Sequence, residues 1–98
     1  MHIKVPHKFS QFEATQRVKK ALDMAVPQMK KEAQLEIHEE RWENNTLHFD
    51  FTAQKQRIRG TLLVEDKNYV IDAKLPLMMR LFEGRIEREI AEQIKKMQ

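Results

Sequence analysis

The chain has 98 residues, 41% of them hydrophobic and 34% charged, with 18 basic side chains against 15 acidic and a formal net charge of +3. That length suits one domain with one core, and burying about 60–65% of the unfolded surface leaves a modest stability that a second copy or partner would raise. The absence of cysteine excludes a disulfide framework and a thiolate metal site, and without a block of like charges no segment reads as a disordered tail.

The start, His2-Ile3-Lys4-Val5-Pro6-His7, alternates apolar and polar residues and predicts a short strand, with Pro6 at an edge or exit position. It has no apolar stretch long enough for a signal peptide. Ser10 and Glu13 then form an S-x-x-E capping box, in which side chains satisfy orphan amides at a helix start. The helix that follows should bury Ala14, Val18, Ala21, Leu22, Ala25 and Met29, with Glu13 and Arg17 paired one turn apart. Pro27 removes one backbone hydrogen bond and crowds the carbonyl of Asp23. Because the apolar phase continues through Met29 and Ala33, a bend is expected there rather than an end.

Two hairpins follow. Leu35-Glu36-Ile37-His38-Glu39 and Leu47-His48-Phe49-Asp50-Phe51-Thr52-Ala53 alternate, with turn chemistry at Glu43-Asn44-Asn45 between them. A regular register that faces Ile37 and Phe49 inward would leave Trp42 on the outer face. A one-residue bulge near Glu40 or Arg41 would bring it in, and burial of a large aromatic favours the bulge. The second hairpin joins Arg57–Glu65 to Tyr69–Leu75. A two-residue loop at Lys67-Asn68 would pair Val64 with Ile71 and Leu62 with Ala73. Its inward residues are Ile58, Gly60, Leu62, Val64, Tyr69, Ile71, Ala73 and Leu75. Gly60 leaves a gap in that face, a mark of a bulge, a bend or close backbone approach.

After Pro76 the pattern turns helical from about Leu77 to Lys96. Phe82, Ile86, Ile90 and Ile94 recur every four residues and need a broad apolar surface to lie on. Gly84 within this helix suggests close packing against another backbone. The order is therefore β-α-β-β-β-β-α. It specifies an α+β class domain over residues 1–98, with an antiparallel five-stranded sheet and two helices on one face, resembling a reduced helix-grip fold.

Four constellations could carry chemistry. In the regular register His38 faces Asp50 and Glu40 faces His48, a cross-strand patch of metal-ligand types, but the favoured bulge disturbs it and a solvated face is the simpler reading. A ligand cavity between sheet and helix would be lined by Phe49, Phe51, Tyr69, Phe82 and Ile86, although the same side chains are needed to fill the core. Lys55, Arg57 and Arg59 on one strand, with Lys19, Lys20, Lys30 and Lys31 on the first helix, are diluted by acidic neighbours, which argues against a nucleic-acid track. The run Leu75-Pro76-Leu77-Met78-Met79-Arg80-Leu81-Phe82 holds too many apolar residues for one helix face to bury. Leu77, Met78, Met79 and Leu81, with Leu63 and Val70 on the outward sheet face, are therefore the candidate interaction surface. Ser10 is the only serine and is accounted for as a cap, and Gly60 and Gly84 are the only glycines, so no nucleophile elbow or phosphate loop is present. No catalytic residue, cofactor or metal ligand is assigned. The run from Leu75 to Phe82 is too short to span a bilayer, and a soluble cytoplasmic protein is expected.

Three segments also look familiar: the His2–His7 start with its capped helix, Trp42-Glu43-Asn44-Asn45-Thr46-Leu47-His48-Phe49, and Leu81-Phe82-Glu83-Gly84-Arg85-Ile86-Glu87-Arg88-Glu89-Ile90. In this order, over nearly the whole chain, they resemble the polyhydroxyalkanoic acid system family, small bacterial proteins associated with polyester storage-granule genes. Pro27 departs from the uninterrupted first helix of that pattern. The resemblance implies a non-enzymatic protein of granules or their regulation, with the polyester surface or granule proteins as partners and no active site to carry over. The residues leave open two other readings: a small-ligand-binding module of helix-grip type, and weak nucleic-acid binding through Lys55, Arg57 and Arg59. A homodimer would suit so small a core.

Overall fold

Alternation in the sequence becomes a sheet with one apolar face. The computed structural model describes residues 1–32 and 34–96. The strands are β1 (His2–Pro6), β2 (Glu36–Glu43), β3 (Thr46–Ala53), β4 (Gln56–Val64) and β5 (Asn68–Lys74), and helix α1 (Gln11–Glu32) follows β1. After β5 come a single turn, α2 (Leu77–Arg80), and the longer α3 (Glu83–Lys96). The sheet order is β1-β5-β4-β3-β2, with every neighbouring pair antiparallel. The last four strands form a meander, and β1 returns to pair with β5 at the far edge.

The inner face carries Ile3 and Val5 of β1, Tyr69, Ile71 and Ala73 of β5, Leu62 and Val64 of β4, and Leu47 of β3. All of these are buried except the partly buried Leu62. Helices α1 and α3 lie on this face. Ala14 and Val18 of α1 close a core with Val64 and Tyr69, and Phe9, Leu22, Trp42, Leu62 and Ile94 pack against it. The Ser10 cap forms, since the Glu13 amide donates to Ser10 Oγ at 3.1 Å. The Glu13 carboxylate turns to Arg17 instead of back to the cap, and that guanidinium lies 4.1 Å from the centre of the Phe9 ring.

Several expectations need correction in detail. The bulge that turns Trp42 inward is present, but it falls between Ile37 and Glu39 rather than near Glu40 or Arg41. The β4–β5 loop is displaced by one residue along the chain. Val64 pairs with Tyr69, Leu62 with Ile71 and Gly60 with Ala73. Asn68 is the first residue of β5 rather than part of the loop. His7, buried at the end of β1, braces the loop in this position. Its amide donates to the Lys67 carbonyl at 2.8 Å, and its Nε2 bonds the Glu65 carbonyl at 2.9 Å. A slip of two residues in pairing keeps every side chain on its face, so the inward set stands.

The C-terminal helix is interrupted. Amides of Met79 and Arg80 both bond the Pro76 carbonyl, Phe82 bonds back to Met79, and α3 opens with Ile86 bonding Phe82. Phe82 leaves the apolar stripe and is exposed, while Ile86, Ile90 and Ile94 stay half-buried. The α-amino group of Met1 anchors the start of α3, lying 2.7 Å from Glu83 and donating to the Ala73 carbonyl. Gly84 does not touch another backbone, for a Cβ there would meet open space. Helix α1 continues through Pro27 without ending. Only its front docks closely: Ala14, Thr15 and Val18 are buried, Ala21 and Leu22 half-buried, and Ala25 and Met29 exposed. Ala33 lies outside the described residues.

Candidate functional site

Pro76 ends the fifth strand's run and its carbonyl starts the α2 turn. A four-residue helix cannot hide apolar side chains on all sides. Leu77 is 79% exposed, Met78 73% and Leu81 84%, with Phe82 beside them at 59%. Met79 alone of the group is half-buried and turns toward the sheet's inner face. Leu63 and Val70 do not join this patch. They face each other across β4 and β5 on the outer side of the sheet, half-buried. The proposed surface is thus two separate patches on opposite faces. Phe12, 73% exposed on α1, is a further apolar outlier. It lies off the Ala14–Val18 stripe, as the helical spacing of these three residues requires.

The second feature is a cleft of about 360 Å³ on the inner face, between the rear of α1, α3 and the far ends of β3 and β4. Leu22 and Val26 of α1, Phe49 and Phe51 of β3, and Ile86 and Ile90 of α3 form its walls. Of the five residues expected to line a cavity, Phe49, Phe51 and Ile86 do. Tyr69 is instead buried in the core against His7, with ring centres 4.8 Å apart, and burial pushes its phenol pKa up. Phe82 is outside. Of the side chains expected to fill the core, Tyr69 does, whereas Phe49, Phe51 and Ile86 are only half-buried. The helices close one end of the sheet and leave the other open.

The histidine and carboxylate patch does not assemble. The bulge sets Glu39 opposite Asp50, Glu40 opposite Phe49 and Arg41 opposite His48. His38 bonds Thr52 Oγ1 at 2.8 Å instead. Among the described residues no group of three or more metal-ligating side chains is disposed to hold an ion. The outer face is laced with ion pairs. Arg57 holds Asp50 through two bonds of 3.0 and 2.7 Å, which keeps that carboxyl below its ordinary value and the guanidinium above its own. Arg41 bridges Glu39 and Glu43 and lowers the Glu43 carboxyl pKa, with His48 adding to the effect. His2 pairs with Asp72 across β1 and β5.

The basic residues are accordingly dispersed. Arg57 is committed to Asp50, Lys55 sits in the β3–β4 turn, and Lys19 lies 5.1 Å from the centre of the Trp42 ring. Among the described residues no helix is long and apolar enough to cross a membrane. The family model described as "Putative polyhydroxyalkanoic acid system protein" matches residues 1–97. No curated protein and no solved structure matches the chain.

Proposed function

Because the chain belongs to the polyhydroxyalkanoic acid system protein family, we propose that it is a non-enzymatic, cytoplasmic protein of polyester storage granules, acting by apolar contact with the granule surface. The observation that carries this reading is the exposure of Leu77, Met78, Leu81 and Phe82 together at the α2–α3 junction. Exposed apolar residues scattered singly are ordinary, whereas a contiguous group marks a contact surface. A polyester particle offers a broad, uncharged, irregular surface. The flexible thioether of Met78 suits such a partner. The one serine caps α1, which fits a role without covalent chemistry.

Co-sedimentation with polyester granules tests this. Leu77→Glu with Leu81→Glu should weaken binding about tenfold or more, since each leucine transferred out of water is worth about 1.5–3 kcal/mol. Met24→Glu changes a methionine that is 71% exposed on α1 and should leave binding unchanged. Equal binding by a folded double variant would remove the patch from the mechanism.

A further inference from the structure

We propose that the inner-face cleft is a binding site for one aliphatic chain carrying a neutral head group. Apart from Met79, which turns inward from α2, the argument uses none of the exposed patch residues and stands apart from the granule reading. A volume of about 360 Å³ lies at the low end of ligand sites. At about 30 Å³ per water-sized group it holds roughly a dozen non-hydrogen atoms. That is one extended chain of about ten carbons with its head. It is too small for a helix, which is about 10–12 Å across with its side chains.

The lining decides the chemistry. Leu22, Val26, Phe49, Phe51, Ile86 and Ile90 offer no hydrogen-bonding groups, so a polar group pushed deep inside would lose its water without replacement. Met29 and Met79 at the margins can adapt to a flexible chain. The only charged side chains among the lining residues are Glu39 and Glu40. Glu40 is opposite Phe49 on the inner face, and Glu39 is tied to Arg41. Met1 also lines the cleft, but its α-amino group is already paired with Glu83. No free cation waits for a carboxylate among these residues, and Glu40 would repel one. An alcohol or ester head avoids that repulsion.

Methionine-methyl NMR of the whole chain, titrated with 1-decanol and with decanoate, tests the proposal. Saturable shifts at Met29 and Met79, with Met1 free to join them, are expected, because all three line the cleft, and Met24 and Met78 should stay unmoved as exposed references. Decanoate should bind at least about threefold more weakly near neutral pH. Ile90→Phe and Ile58→Phe fill the cleft from opposite walls, and either variant, if folded, should abolish the shifts. Shifts spread over Met24 and Met78, stronger binding of decanoate, undiminished binding to a folded cavity-filled variant, or a dimer that occludes the cleft in light scattering would each overturn it. The wild-type titration decides the matter even if both variants fail to fold.

Discussion

The two glycines show how far one hydrogen atom in place of a methyl group can matter. A Cβ on Gly60 would lie 2.0 Å from the Asp72 carbonyl oxygen and 2.7 Å from the Ala73 Cα, both backbone atoms that cannot swing aside. Gly60→Ala must therefore push β4 away from β5, and we expect a loss of about 1–3 kcal/mol in urea unfolding. Gly84 has open space around it, and the same substitution there should stabilise by about 0.5–1 kcal/mol through helix propensity alone. Opposite signs from one chemical change form the test, and a stabilising Gly60→Ala would refute the close approach. The sequence marked both positions as unusual for their elements but could not distinguish them, because the distinction lies in what stands across from each. His7 was illegible for a similar reason. Its bonds reach the Glu65 and Lys67 carbonyls, close to it only after β1 has paired with β5.

At the scale of elements, face assignment was readable and boundaries were not. Alternation sets which side of a strand is apolar, and a register slip of two residues leaves that pattern intact. The inward residues of β4 and β5 could thus be named while their partners were misassigned. The Trp42 bulge was readable because a regular register placed a large aromatic in water; its position at His38 was not, since several polar residues could absorb the extra step. The interruption between α2 and α3 had no such signal beyond Gly84. The β3–β4 turn was also silent. Its central residues Gln54 and Lys55 both have left-handed backbones, with φ of 51° and 67°, where Asn-Gly is the favoured pair. Each such residue carries a conformational cost that glycine or asparagine reduces. Replacing the pair with Asn-Gly should add about 1 kcal/mol in urea unfolding without changing the fold. No gain would mean that the turn relaxes out of the left-handed region in solution.

The whole molecule is unevenly closed, and its candidate chemistry follows from that. Ala14, Val18, Val64 and Tyr69 seal one end, where His7 also secures the β4–β5 loop. At the other end the rear of α1 stands over half-buried Phe49 and Phe51, with Met24 and Met29 exposed. Proline at position 27 cannot donate a backbone bond to the turn before it. Few buried contacts and a missing bond are the conditions for local opening below the global unfolding free energy. Native-state hydrogen exchange should divide α1 in two. Amides from Ala14 to Leu22 should approach global protection. Those of Met29, Lys30 and Lys31 should exchange at least about a hundredfold faster. The sequence had predicted one continuous buried stripe through Met29, because helical spacing records which face is apolar and not how far the sheet extends beneath it. Equal protection along the helix would mean that the rear half is docked in solution and the cleft closed, so this measurement bears on the open end without any ligand being added.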